Sequence, residues 1–124
     1  MGTLTVTIEI GYAQGQQFEA MDVLVDDSLM PTVIPASDLL RLGIVPTTHE
    51  TFEYTDGEQV ELGMAEAIVR CQGEETHTWV VFGEDNFDAT LGRYTLGGLF
   101  LRVDSESERL VPARGVLVTP ILVN

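Results

Sequence analysis

The chain has 124 residues, of which 44% are apolar, and these values fit a single soluble domain over residues 1–124. Twenty acidic residues stand against six basic ones, so the net charge is −14, and such a surface repels nucleic acids and anionic membranes. No apolar run approaches the roughly 18 residues of a membrane span. The stretch "MGTLTVTIEI" lacks the basic region and continuous apolar core of a signal peptide. We therefore expect a cytoplasmic protein.

Metal and cofactor chemistry has little support in the sequence. Cys71 is the single cysteine, which excludes an internal disulfide and fits a reducing compartment. His49, His77 and Cys71 lie far apart and do not have the spacing of metal ligands. A glycine-rich phosphate-binding loop is missing as well, so we expect neither a metal nor a cofactor.

The first third of the chain predicts three strands and one helix. "TLTVTIEI" alternates strictly, as in a half-buried strand with Leu4, Val6, Ile8 and Ile10 on one side. A turn over 11–16 leads to a second strand over 18–25. The segment 32–34 is again β-like, and Pro35 stops it. "ASDLLRLG" has a short helical spacing, with Gly43 placed to end the helix.

A hairpin follows, with strands over 51–55 and 59–69 on either side of "DGE". Asp56-Gly57 is a strong signal for a two-residue hairpin turn. The acidic residues along this hairpin are most simply its solvated faces, and they are Glu50, Glu53, Asp56, Glu58, Glu61 and Glu66. A binding element this acidic would disfavour acidic substrates.

The second half predicts further short strands. The turn "CQGEE" precedes the strand "THTWVVF", in which Trp79 and Val81 lie on the opposite face from Val80 and Phe82. "GEDNFD" is a loop, 89–92 a short apolar element and 94–99 a single helical turn. "LFLRVD" and "RLVP" bracket the turn "SESE", and "GVLVTPILV" is a final apolar strand. The pattern is all-β in class with one convincing short helix, and a weak internal echo relates its two halves.

The order of these motifs resembles the retropepsin-like aspartic proteases. "VLVD" ends at Asp26, Pro35 follows nine residues later, and then come "LLRLGI", the "DGE" hairpin, "LG" and "LFLRVDSESERLVP". The resemblance covers nearly the whole chain, from about Val6 to Val118. It implies a closed, mostly antiparallel β barrel with a flap hairpin, which works as a homodimer whose chain termini interleave.

The resemblance makes Asp26 the catalytic aspartate, one from each chain of the dimer. Two carboxylates this close cannot both ionise cheaply, so they share a proton and titrate as a pair. The ionised partner activates a water, while the protonated one polarises the peptide carbonyl. The hairpin tip at Asp56 and Gly57, together with Phe87, is then expected to line a cleft that binds a peptide or an apolar small molecule.

The active-site motif departs from the Asp-Thr/Ser-Gly of that family. Asp27 takes the hydroxyl position and Ser28 the glycine position, and a motif that starts at Asp27 is broken as well. An ionised Asp27 accepts hydrogen bonds but donates none, and Ser28 adds a Cβ where backbone should approach closely. Leu29 and Met30 follow where smaller residues are usual, and the second motif is Thr90-Leu91-Gly92, with a polar first position. All of these residues are expected in the cleft, with catalysis impaired.

Three interpretations stay open. The chain is a homodimeric endopeptidase with full or residual activity, a catalytically dead member of the fold that binds a ligand in its cleft, or a structural dimeric β module. The departures cluster in the cleft while the framework keeps its pattern, which suggests a degenerate, repurposed or engineered protease. For Asp26 the plain alternative is a strand-end carboxylate that caps a turn, and for Asp27 a turn residue facing solvent.

We predict a homodimer. The first and last predicted strands, "TLTVTIEI" and "GVLVTPILV", are too apolar to remain bare sheet edges. Sedimentation at micromolar concentration should give the mass of two chains. A stable monomer at that concentration would remove the shared pair of aspartates together with the dimer.

Overall fold

The computed structural model describes residues 4–12 and 17–121 of the chain. Over these residues it contains nine strands and two short helices. In chain order they are β1 (Thr5–Gly11), β2 (Phe18–Asp26), β3 (Thr32–Pro35), α1 (Ala36–Arg41), β4 (Thr48–Glu53), β5 (Gln59–Cys71), β6 (Glu74–Gly83), β7 (Thr90–Gly92), α2 (Arg93–Gly98), β8 (Leu101–Asp104) and β9 (Arg109–Pro112). Neither of these helices is long and apolar enough to cross a membrane. The mostly β composition is confirmed, and the turn expected over 11–16 lies largely outside the described residues.

Six of the strands close into a barrel. From β1 the hydrogen-bonded order runs through β2, β7, β3, β6 and β5, and β5 returns to β1. Within the described sheet, β4 lies outside this ring and pairs with β5, while β8 and β9 form a separate antiparallel hairpin. The ring confirms the closed β barrel expected from the sequence. Closure matters because it leaves few backbone groups without a strand partner.

The strand order has an internal two-fold symmetry. β2 runs parallel to β7, and β3 runs parallel to β6. The pairs β3 with β7 and β1 with β5 are antiparallel. Exchanging β1 with β5, β2 with β6 and β3 with β7 therefore leaves the order unchanged. Each half ends with a strand that runs straight into a six-residue helix, which is the echo seen in the sequence.

Alternating apolar side chains build the interior of the barrel. In β1, Ile8 and Ile10 are buried while Thr7 and Glu9 face solvent, as the alternation predicts. The largest buried apolar side chains of the other elements include Ile34, Leu39, Val69, Val80, Leu91 and Leu99. Burial of each such side chain stabilises the fold by about 1.5–3 kcal/mol.

Both helices are short and are stabilised by packing rather than by length. α1 ends where predicted, with Gly43 in the left-handed region at φ +84°. The single helical turn expected over 94–99 is a second six-residue helix that begins one residue earlier. Gly97 and Gly98 weaken its sequence signal because glycine has a low helix propensity. Thr95 and Leu96 are buried against the barrel and hold the helix in place.

The predicted final strand "GVLVTPILV" is wrong for the part that the structure describes. Residues 113–121 form no strand, and Val116, Leu117, Val118 and Ile121 are 87–92% exposed. A strand needs a partner edge for its backbone groups, and within the described chain this segment lies against none. β1 also differs from a bare edge, because it pairs with β2 along its length and with β5 over residues 9–11.

Substitution of Gly92 should destabilise the fold, because β7 is wedged between β2 and β3. A Cβ at Gly92 would lie 2.8 Å from the carbonyl oxygen of Met30 and closer still to that of Pro31. We expect Gly92→Ala to lower the free energy of unfolding by about 1–3 kcal/mol in urea titrations.

Gly97→Ala is the matched control for this prediction. No atom lies within 4 Å of the position that its Cβ would take, so it should stabilise the protein by about 0.5–1 kcal/mol through helix propensity. Equal effects of the two substitutions would contradict the close packing of β7.

Candidate functional site

Asp26 is the last residue of β2, and its side chain organises the turn that follows. The backbone N–H of Ser28 donates to Asp26 Oδ1 at 3.0 Å, and the Ser28 hydroxyl donates to the same oxygen at 2.5 Å. The backbone N–H of Leu29 donates to the Asp26 carbonyl at 3.3 Å. An aspartate that bonds to the backbone two residues ahead is a common way to start a tight turn. Asp26 therefore caps the turn, and it stays half-buried.

The start of α2 holds the loop over residues 27–31 through two backbone hydrogen bonds. The N–H of Arg93 donates to the Leu29 carbonyl at 2.7 Å, and the N–H of Tyr94 donates to the Met30 carbonyl at 3.0 Å. Since β7 pairs with both β2 and β3, the loop crosses over the end of β7. Gly92 makes this crossing possible, because a side chain there would collide with the loop backbone.

Three buried threonines support the same crossing. The N–H of Gly92 donates to Thr32 Oγ1 at 3.0 Å. The hydroxyl oxygens of Thr32 and Thr95 are 2.6 Å apart, and those of Thr95 and Thr78 are 3.0 Å apart. A buried polar group without a partner costs about 1–3 kcal/mol, so this chain of hydrogen bonds fixes β7, β3, β6 and α2 in one arrangement.

An apolar groove of about 410 Å³ lies beside the loop. It is bordered by the loop, by β4 and β5, by β6 and by α2. Its lining residues are Met30, Pro31, Glu50, Thr51, Phe52, Met64, Trp79 and Tyr94. The volume is within the usual range of small-ligand sites, and the mixture of apolar side chains with a few polar groups is typical of them. We call this feature the groove.

The hairpin predicted around Asp56 and Gly57 is confirmed. β4 and β5 pair antiparallel from Thr48 with Met64 to Glu53 with Gln59. The turn between them is closed by bonds from the Tyr54 N–H to the Glu58 carbonyl and from the Gly57 N–H to the Tyr54 carbonyl. Gly57 has φ +90°, a conformation that glycine adopts without steric cost. Asp56 and Gly57 are exposed at the tip.

The hairpin touches the loop that follows β6. The Tyr54 hydroxyl donates to Glu84 Oε1 at 2.6 Å, and the Tyr54 ring lies 5.5 Å from the Phe87 ring, centroid to centroid. Phe87 is therefore placed against the hairpin, on an exposed loop that also carries Asp85 and Asp88. The same loop is tied to α1, since the Ser37 N–H donates to Asp85 Oδ1 at 3.0 Å.

The residues predicted for the site fall into separate groups. Asp27, Ser28, Leu29 and Met30 are exposed on the loop after Asp26, and Met30 lines the groove. Asp56 and Gly57 are exposed at the hairpin tip, and Phe87 packs against Tyr54 of the same hairpin. Thr90 is half-buried in β7, while the Leu91 side chain belongs to the barrel core. Leu91 thus contributes packing below the loop.

Sequence reasoning missed four apolar residues of the groove, namely Phe52, Met64, Trp79 and Tyr94. They come from three strands and a helix that are distant in sequence. One signal was present for Trp79, since the alternation of β6 left open which face was buried. Val80, Val81 and Phe82 are all buried, while Trp79 is 44% exposed.

Comparisons with known proteins give no relative from which a function of this site could be taken. No family model matches the chain, and no curated protein matches it significantly. The resemblance to the retropepsin-like proteases therefore stays a prediction carried by the motifs around Asp26, Gly57 and Gly92.

The Tyr54 phenol should titrate with a pKa of about 12, because its hydroxyl donates to Glu84 and its ionisation would place two negative oxygens side by side. The folded pKa lies above the unfolded value. The stabilisation from this contact is thus complete below about pH 10 and is lost as the pH rises through about 12.

Ultraviolet absorbance of tyrosinate measures this pKa in a protein in which Tyr12 and Tyr94 are phenylalanine. Glu84→Ala should bring the Tyr54 pKa back towards the ordinary value for tyrosine. An unchanged pKa in Glu84→Ala would show that the contact does not form in solution.

Proposed function

We propose that the chain forms a homodimer of the retropepsin type, whose shared cleft binds extended apolar peptides and hydrolyses them slowly. One observation carries this proposal. Asp26 ends a barrel strand, and the loop that follows it leads to an apolar groove that a β hairpin borders. A carboxylate, an apolar groove and a hairpin beside that groove are parts that an aspartic endopeptidase requires.

The dimer is needed because one chain supplies one Asp26. In the proposed dimer the two carboxylates face each other and share a proton, since both cannot ionise cheaply at short distance. The ionised carboxylate takes a proton from a bound water, which attacks the peptide carbonyl carbon. The protonated carboxylate donates a hydrogen bond to the carbonyl oxygen. The tetrahedral intermediate then collapses, its C–N bond breaks, and the proton taken from the water passes to the leaving amine nitrogen. The pair, rather than either residue, sets the pH dependence.

The exposed C-terminal segment supports association between chains. Val116, Leu117, Val118 and Ile121 project from the barrel almost fully exposed. Large exposed apolar stretches of this kind mark interaction surfaces. In the proposed dimer this segment pairs with the other chain, so the strand predicted from its sequence forms only on association.

The local chemistry around Asp26 supports slow rather than efficient hydrolysis. The Ser28 hydroxyl donates to Asp26 Oδ1 within the same chain, so it occupies one of the lone pairs that would hold the attacking water. Asp27 is exposed beside it and adds a negative charge from each chain. Like charges near the pair oppose ionisation of the catalytic carboxylate.

Substrate preference follows from the groove and its rim. The groove presents Met30, Phe52, Trp79 and Tyr94, which favour apolar side chains. The net charge of −14 and Glu50 in the lining disfavour acidic peptides. We expect neutral or basic peptides with apolar residues to bind best.

A second candidate is binding in the same cleft without turnover. The replacement of both the hydroxyl and the glycine positions of the motif by Asp27 and Ser28 favours it, because these changes spare the groove. The two functions differ in one observable. Peptide that raises the melting temperature without being cleaved marks binding alone, whereas cleavage blocked by a transition-state inhibitor of aspartic proteases marks the enzyme.

The motif can be restored to test the proposal. Asp27→Thr together with Ser28→Gly should raise cleavage of fluorogenic apolar peptides by orders of magnitude, because both the cross-axis hydroxyl and the close backbone approach return. The unmodified protein should cleave weakly at neutral pH and better at acidic pH, where protonation of carboxylates relieves their repulsion.

Asp26→Asn in the restored background should abolish cleavage, and it serves as the control for contaminating proteases. Efficient cleavage by the unmodified protein at neutral pH, or activity that survives Asp26→Asn, would place the chemistry elsewhere. A restored variant that binds peptide but never cleaves it would favour the second candidate.

A further inference from the structure

A second pocket adjoins the groove, between β6 and α2. Its volume is about 540 Å³, and His77, Arg93 and Tyr94 are among the residues that line it. Tyr94 also lines the groove. On β6, Trp79 of the groove and His77 of the pocket are two residues apart, so they project from the same face of the strand. The apolar groove therefore continues into this pocket, which we call the cationic pocket.

Arg93 gives the cationic pocket its charge. A guanidinium group is a permanent cation whose planar fork of N–H donors matches the two oxygens of a carboxylate. Within the described residues, Arg41 and Arg70 are held in ion pairs, whereas Arg93 forms none. His77 is exposed beside it and adds a second group that donates a hydrogen bond. The pocket can therefore bind an anion that comes from another molecule.

The groove offers backbone groups as well as apolar side chains to a ligand. Glu50, Thr51 and Phe52 are consecutive residues of β4, and all three line the groove. Because successive side chains of a strand point to opposite faces, all three border one groove only along the edge of the strand. Within the described sheet, β4 pairs with β5 and is the last strand in the order. The N–H and C=O groups of its outer edge can pair with an extended peptide, whereas an acyl chain has no groups to pair with them.

We propose that the groove and the cationic pocket together bind the free C-terminal end of an apolar peptide. The last side chains of the peptide lie on Trp79 and Tyr94, while its α-carboxylate accepts hydrogen bonds from Arg93 and His77. Acidic side chains along the peptide would meet Glu50 of the groove, whereas a single carboxylate at its end meets a cation. The inference rests on the proposed function only for apolar peptides as ligands, and it requires neither the dimer nor hydrolysis.

Matched peptides test the role of the carboxylate. An N-acetylated tetrapeptide of leucine and phenylalanine is titrated into the protein as the free acid and as the C-terminal amide. Trp79 fluorescence reports binding, because Trp79 is the only tryptophan of the chain and lines the groove. We expect the acid to bind about three- to tenfold more tightly than the amide, because it forms a charge-assisted hydrogen bond that solvent partly screens. Decanoate, which has a carboxylate but no peptide backbone, should bind more weakly than the peptide acid.

Substitutions locate the cation that the carboxylate meets. Arg93→Gln should remove the preference for the acid over the amide, and His77→Ala should reduce it. Arg102→Gln is the matched control, because Arg102 is exposed on β8 and lines neither the groove nor the cationic pocket. This control removes the same charge from the protein, so its ratio of acid to amide affinity should equal that of the unmodified protein. Melting temperatures show whether each variant is folded.

A preference for the acid that is lost in Arg93→Gln and kept in Arg102→Gln supports the inference. Three results overturn it: equal or absent binding of the acid and the amide, a preference that survives Arg93→Gln, and an equal loss in Arg102→Gln. Decanoate that binds as tightly as the peptide acid also overturns it, because the site would then select apolar anions rather than peptides.

The proposed function fails by a different measurement. Preference for the acid without any cleavage of peptides leaves the inference standing and refutes hydrolysis. Cleavage that depends on Asp26, without a preference for the acid, refutes the inference and leaves the proposed function standing.

Discussion

The contact between Gly92 and the loop after Asp26 is the constraint on which the site depends. β7 pairs with β2 on one side and β3 on the other, so the chain must cross over the end of β7 to pass from β2 to β3. This crossing leaves no room for a Cβ at Gly92. The buried Thr32, Thr95 and Thr78 then fix the crossing from below through a continuous chain of hydrogen bonds.

The crossing also separates Asp26, at a strand end, from the exposed residues of the loop that follows it. Asp26 stands at the end of a strand that pairs on both sides, while the side chains of the residues that follow it are exposed. Asp27, Ser28 and Leu29 do not belong to the barrel core. The groove draws most of its apolar residues, namely Phe52, Met64, Trp79 and Tyr94, from other elements, so they do not depend on the residues that follow Asp26.

The negative charge of the protein also affects the contact between the hairpin and the loop after β6. The protein has a net charge of −14, and acidic residues stand both at the hairpin tip, as Asp56 and Glu58, and on the loop after β6, as Glu84. A neutral phenol that donates to a carboxylate is one of the few contacts that can join two acidic surfaces without a counter-ion. Tyr54 is such a contact, and it links the hairpin to the loop that carries Phe87.

The sequence by itself determined the β class, the hairpin around Gly57, the end of α1 at Gly43 and the position of Asp26 at a strand end. These follow from alternation, turn residues and helix stops, which are local properties. Only the tertiary structure decided which side chains form the groove, because Phe52, Trp79 and Tyr94 meet through strand pairings between residues distant in sequence. The C-terminal segment shows the same limit, since an apolar pattern favours a strand but cannot supply the partner edge that a strand requires.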